Sequence, residues 1–387
     1  MSEVYVSEAV KYVGVDDKTI DLFESQYVVP NGVSYNSYVI MDEKIAIMDT
    51  VDRRGTDEWL ANVEKVLDGR TPDYLVVQHM EPDHAGSIKI LAEKYPSMQI
   101  VANAKTFPMM HNFFEMDLSG REVVVKEMDT LSLGSHTLTF VMAPMVHWPE
   151  VMVTYESSEK ILFAADGFGK FGALDVEEDW ACEARRYFIN IVGKHGRSVQ
   201  ELLKKAATLD IAMICPLHGP VLKENLGYYL EKYDIWSSYR PEDKGIVVAY
   251  ASIHGHTRAA VQELVQMLEE MGQKVVSFDL ARCDMAEAVE DAYRYDRLIV
   301  ACPTYDASIF PCMHDFLYHL QIKNFQKRTV GIIENGSWSP SAGRKMKAML
   351  EDMRELKILE PMVTIKSSLK EETREKMREL ARAMAEA

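Results

Sequence analysis

In the run V-V-Q-H-M-E-P-D-H-A-G-S, residues 76–87, four metal-binding side chains fall within six positions: His79, Glu81, Asp83 and His84. DYLVVQ before them reads as a strand, Pro82 is expected to stop any regular structure, and SIKILAEKY after them has helical spacing. A strand-end loop can turn side chains at this spacing toward one point, which neither a helix face nor a strand face can do. Three further candidates stand just past apolar strands: His147 in MVHWPE, Asp166 in LFAADGFG and His218 in MICPLHGP. Imidazoles alone suit zinc, while added carboxylates suit harder, redox-active iron. A lone histidine after a strand is most often an ordinary loop residue. Seven of the eleven histidines (His111, His136, His195, His254, His256, His314, His319) are accordingly left outside the metal set.

A second constellation is Ser252-Ile253-His254-Gly255-His256-Thr257, which ends an apolar strand and opens a helix. Backbone N–H groups at a helix N-terminus, with two hydroxyls beside them, can hold a phosphate. The loop has no lysine and no G-x-x-x-x-G-K-[ST], which disfavours a nucleoside triphosphate. Taken alone, Ser252 and Thr257 could be plain helix caps. Two later strand ends add aromatics and exposed backbone suited to a flat ring: Pro303, Thr304, Tyr305 and Asp306, then Asn335, Gly336, Ser337, Trp338 and Ala342. Ligands of open α/β sheets bind at such carboxyl ends. The G-x-G-x-x-G match at residues 167–172 is a different matter. The acidic ALDVEEDW follows it instead of a helix, so a dinucleotide is not expected there, and the glycines free the loop beside Asp166.

These residues need two kinds of scaffold. Up to residue 244, short β-rich runs (SYVIMDEKIAIMDTV, QIVANA, TLTFVMAP, KILFAAD) alternate with turns and with helical stretches such as DEWLANVEKVLDG. The polar segment SSYRPEDKG marks the boundary. From residue 245 the pattern is regular β–α alternation, beginning with the continuously apolar GIVVAYAS and ending in the helical EETREKMRELARAMAEA. The fold class is therefore α/β in two domains, 1–244 and 245–387. The second is a doubly wound parallel sheet.

The metal set resembles the signature of the metallo-β-lactamase superfamily, H-x-H-x-D-H followed by a distant His, Asp and His, with Glu81 at the second histidine position. Glutamate there is the mark of the flavodiiron proteins. The loops PTYDASIFPCMHDFLYHL and ENGSWSPSAG are similar to the flavodoxin-like half of that family. The resemblance implies a metallo-β-lactamase-like αββα sandwich followed by a flavodoxin-like domain binding FMN. It implies two irons, one held by His79, Glu81 and His147, the other by Asp83, His84 and His218, with Asp166 between them; His84 does not bind metal in every member. It also implies reduction of dioxygen to water or of nitric oxide to nitrous oxide, electrons from a carrier such as rubredoxin, and a head-to-tail homodimer or a dimer of dimers. Other readings are a zinc hydrolase and an FMN-only electron carrier. The segment LFESQYVVPNGVSYNSY is expected to contribute to the gas pocket.

Composition fits a globular enzyme: 47% apolar and 27% charged residues. The net charge of −17 falls as −15 on residues 1–244 and −2 on the remainder, which argues against nucleic acid and anionic membranes as partners. Five scattered cysteines without a C-x-x-C, no apolar leader and no apolar run of membrane length fit a cytoplasmic chain without a fused rubredoxin-like extension. Lys323, Lys327 and Arg328, with Arg344, Lys345 and Lys347, form a basic stretch that an acidic carrier could use.

Overall fold

The computed structural model describes residues 4–387. Contacts divide the chain into two units, Met1–Phe188 with Arg197–Asp234, and Ile189–Gly196 with Ile235–Ala387. The first unit thus ends ten residues before the expected division. The cause is local: Tyr239 Oη donates to the Gly193 carbonyl at 2.8 Å, and Arg328 donates to the Tyr239 carbonyl at 2.8 Å.

The first unit contains two facing sheets. One has the order Val10–Tyr12, Tyr38–Ile40, Ala46–Met48, Tyr74–Val76, Gln99–Asn103, Glu122–Val125, with the last four strands parallel. The other runs Thr130–Ser132, Thr137–Met142, Met152–Glu156, Ile161–Phe163, Met213–Cys215. Tyr38, Met48 and Val76 of the first sheet share one apolar cluster with Phe140, Met152 and Phe163 of the second. Tyr38 meets Phe163 edge-on at 5.5 Å. Helix Thr56–Leu67 buries Thr56, Trp59, Val63 and Leu67, a stripe at three- and four-residue spacing.

The second unit has the parallel order Val275–Asp279, Asp243–Tyr250, Tyr295–Tyr305, Thr329–Asn335, with Lys357–Ile358 and Val363–Ile365 both beyond the last. This is the 2-1-3-4-5 doubly wound order. Its first strand in sequence, Asp243–Tyr250, is buried along Gly245–Ala249, as the continuous apolar run requires. Ile246 and Val248 pack with Leu264 of helix His256–Glu270 and Leu380 of helix Glu371–Glu386. No helix among the described residues is long and apolar enough to cross a membrane, and no disulfide joins any two of the cysteines.

Candidate functional site

Four strand ends of the first unit converge. The strand Tyr74–Val76 delivers His79 and Glu81, and the one-turn helix Pro82–Ala85 carries Asp83 and His84. Pro82 starts this helix instead of stopping structure: it sits in the first helical turn, where its missing N–H costs nothing. His147, Asp166 and His218 arrive from loops after Thr137–Met142, Ile161–Phe163 and Met213–Cys215.

All seven expected side chains come together, in two groups: His79, Glu81, His147 and Asp166, then Asp83, His84 and His218. His147 Nε2 lies 2.9 Å from Glu81 Oε2. Asp166 Oδ2 lies 3.2 Å from both His79 Nε2 and His147 Nε2. Its Oδ1 turns the other way, 3.3 Å from His84 Nε2 and 3.8 Å from His218 Nε2. Asp83 Oδ2 is 3.2 Å from each of those two rings, whose Nε2 atoms are 3.0 Å apart. Ligand atoms about 2 Å from one ion stand at roughly these mutual distances.

The donor set fits metal ions. Both oxygens of Asp83 and both of Asp166 are buried without a hydrogen-bond partner, a costly state unless a cation takes them up. The charge balance agrees. Burial opposes a charged His84, yet the carboxylates of Asp83 and Asp166 carry it up to about 10. His147 rises to about 9 against burial, through Asp166 and Glu81. The three carboxylates draw positive charge onto the imidazoles as protons, and metal cations would supply that charge in the protons' place.

Sequence reasoning missed several neighbours. Glu24 hydrogen-bonds Glu81, and burial together with the charge of Glu81 lifts its carboxyl to about 7. It lies in the N-terminal segment expected to reach this pocket. Glu150 backs His79, its Oε1 lying 2.8 Å from Nδ1. Phe23, Tyr35 and Tyr187 surround the His218 ring at 5.5, 6.0 and 5.4 Å. Burial and the charges of Asp166, Asp83 and Glu81 hold the Tyr187 phenol well above its usual pKa. Tyr233 Oη accepts the N–H of Phe168 at 2.5 Å and so clamps the loop beside Asp166. In that loop a Cβ on Gly169 would stand 3.1 Å from the Asp166 carbonyl oxygen, so the glycine there serves close packing.

In the second unit a cleft of about 510 Å³ opens at the carboxyl ends of the strands. Ser252, Ile253, His254, His256, Thr257, Pro303, Thr304, Tyr305, Asp306, Asn335, Gly336, Ser337 and Trp338 line it. Two expected residues do not. Ala342 is fully buried with its N–H donated to Thr304 Oγ1, and Gly255 turns the loop with φ 89° from outside the lining. Ser367, unforeseen, joins the wall, its Oγ 2.8 Å from Ser337 Oγ. Ser252 Oγ accepts the N–H groups of Gly255 and Arg258. The hydroxyl thus caps the helix, and the N–H groups left unengaged by it face the role of anion binding. Trp338 is 92% exposed and Tyr305 47%, two aromatic walls with open faces.

Four residues of the basic stretch are engaged by hydrogen bonds or an ion pair, while Arg344 and Lys345 are exposed. Lys323 is buried and donates to the Asn190 carbonyl. Arg328 is buried and donates to the carbonyls of Tyr293, Tyr295, Tyr239, Gln326 and Lys327. Lys327 donates to the Ser238 carbonyl, and Lys347 pairs with Glu360.

Known proteins match both units. The family described as ODP family beta lactamase covers residues 33–219, and the flavodoxin family covers 248–379. The chain is 28% identical to an uncharacterized protein of Methanocaldococcus jannaschii over 98% of each. It is 28% identical to the nitric oxide reductase of Moorella thermoacetica over 99% of this chain and 98% of that one. Among solved structures, the rubredoxin:oxygen oxidoreductase of Desulfovibrio gigas superposes with a TM-score of 0.92 at 25% identity, covering 99% of this chain and 97% of the other.

Proposed function

The chain joins an ODP β-lactamase domain to a flavodoxin domain and so belongs with the flavodiiron proteins, and on that premise we propose that it is an oxidoreductase that removes dioxygen, nitric oxide or both. The observation that carries the reading is Asp166, whose two oxygens serve two ligand groups, each with a carboxylate of its own. His79, Glu81 and His147 would hold one iron, Asp83, His84 and His218 the other, and Asp166 both. When bound, FMN relays electrons from an external donor and the iron pair binds and reduces the gas.

The protein's own groups prepare that chemistry. Glu81, Asp83 and Asp166 neutralise ferric charge. Phe23, Tyr35 and Tyr187 wall the His218 side with aromatic surface. Tyr187 keeps its phenolic proton at neutral pH, and Glu24, lifted to about 7, is suited to pass protons near that pH. In the second unit the start of helix His256–Glu270, with Ser252 and Thr257, would take the FMN phosphate, and Tyr305 and Trp338 would flank the ring.

The partner readings follow from the same premise. A head-to-tail homodimer, or a dimer of two such dimers, would set one subunit's flavin against the other's iron. Exposed Leu22, Val28 and Met145 near the metal ligands, and exposed Ile253, Tyr305 and Trp338 at the flavin cleft, support this pairing. The donor is a small redox protein such as rubredoxin, and five cysteines without a disulfide support a reducing, cytoplasmic setting.

The deciding experiment measures consumption of each gas by anaerobically purified protein with one reduced donor, alongside its metal and flavin content. Two irons, one FMN and turnover of at least one gas are expected, and Asp166→Asn should abolish turnover while FMN stays bound. Two zinc ions and no iron would replace this reading with hydrolysis.

A further inference from the structure

The imidazoles of the metal site are backed by unlike partners. Glu150 Oε1 lies 2.8 Å from His79 Nδ1 and also accepts the Met80 N–H at 2.9 Å. Glu150 is 1% exposed, and its Oε2 is buried with no hydrogen-bond partner. Asn103 Nδ2 holds the Glu150 carbonyl at 2.5 Å, so the residue is fixed from its backbone side as well. His218 Nδ1 donates instead to the Ser34 carbonyl at 2.7 Å, a neutral acceptor. His84 Nδ1 is buried without any partner.

A metal-bound imidazole takes its orientation and donor strength from the group behind it, and a carboxylate raises its basicity. The inner carboxylates do not separate the two positions, since Glu81 serves one, Asp83 the other and Asp166 both. The charge of Asp49 reaches both His84 and His79, one from each position. Glu24 meets the carboxylate of Glu81 and, among the described residues, hydrogen-bonds none of the imidazoles. Glu150 is therefore the buried charge that tips the balance. With no donor on Oε2, its charge bears on the His79 ring and on one backbone N–H.

We propose that Glu150 is a positioning residue that fixes His79 as the Nδ1–H tautomer and makes the two metal positions unequal: the ion held by His79, Glu81 and His147 has the stronger donor set. This rests on the di-iron reading above. That ion is the one retained longer against a chelator, and in a half-oxidised pair it is the ferric one.

The test uses the full chain with FMN and iron-57, read by Mössbauer spectroscopy and by iron release to a chelator. Glu150→Gln keeps an acceptor for His79 but removes the charge. It is expected to keep two irons and FMN and to alter only the quadrupole doublet that Glu81→Asp also alters. It should release one of its two irons about 10–100-fold faster than wild type. In samples half-oxidised with ferricyanide, its ferric signal should no longer favour that doublet. Glu150→Asp, which keeps the charge, is expected to restore the wild-type preference at least in part. An unchanged spectrum in Glu150→Gln, or a change confined to the other doublet, overturns the proposal. So does equal loss of fold and flavin in both variants, which would give Glu150 a packing role only. A wild-type chain that binds no iron pair overturns the underlying reading, a result separate from all of these.

Discussion

Gln78 grips both oxygens of Asp49, its backbone N–H donating to Oδ1 at 2.7 Å and its side-chain amide to Oδ2 at 2.8 Å. Both residues are buried, and Asp49 has left-handed backbone, φ 54°. Gln78 immediately precedes His79, so this grip sets the point from which the ligand loop departs. Gln78→Leu leaves Asp49 Oδ2 without its donor, at a cost of about 1–3 kcal/mol. A lower melting temperature and fewer than two irons per chain are expected, with FMN content unchanged. Calorimetry and metal analysis of the same sample check both.

Ser252→Ala tests the phosphate loop. The hydroxyl satisfies the N–H groups of Gly255 and Arg258, and loss of such a cap costs about 1 kcal/mol. If half or more of that cost falls on the flavin-bound loop, FMN affinity drops roughly twofold to fivefold. Flavin fluorescence titration measures it, and iron content should not change.

Arg328→Ala strips five backbone carbonyls of their donor at once. With about 1–3 kcal/mol for each buried group left unsatisfied, a loss of more than about 3 kcal/mol is expected. Denaturant unfolding of the flavin unit should show it. Reduction by rubredoxin at a temperature where the variant stays folded should keep its wild-type salt dependence, because this charge is not on the surface.

The Asp42–His136 pair predicts a pH effect away from the metals. Its Oδ2–Nδ1 distance is 2.8 Å. Burial opposes both charges, but the hydrogen bonds prevail: the His136 pKa is raised and that of Asp42 is lowered. The raised histidine stabilises fully below its unfolded value of about 6.5 and loses this as pH climbs through the folded value. The lowered carboxyl stabilises above about 3.9 and loses this as pH falls. The pair thus contributes most between about pH 4 and 6.5. His136→Leu should lower the melting temperature more at about pH 6 than at about pH 9, and an equal difference at both would contradict the pairing.

The seven metal-site side chains were legible because each follows closely on an apolar strand, and strands of one sandwich bring their ends to one rim. The parallel second unit was legible from its buried apolar runs for the same reason. Glu150 was not: it closes the run MVHWPE that holds His147, but its role depends on meeting His79, 71 residues away in the chain. Glu24 sits between strands of two residues each, too short to leave a periodic signal. Lys323 and Arg328 read as solvated charges, yet both are buried and spend their donors on backbone carbonyls, which no local pattern marks. Ser367 follows a strand of three residues, and only the sheet order places it beside Ser337.

Pro82 lies between Glu81, which belongs to one ligand group, and Asp83 with His84, which belong to the other. One short stretch of chain therefore carries half of each metal position, in fixed phase. Inserting or deleting a single residue between His79 and His84 would misplace both positions together, and no neighbouring loop could compensate. The stretch can be rewritten side chain by side chain, but its length is frozen. Exchange of ligands, at constant spacing, is the route by which this scaffold can change the ion it takes.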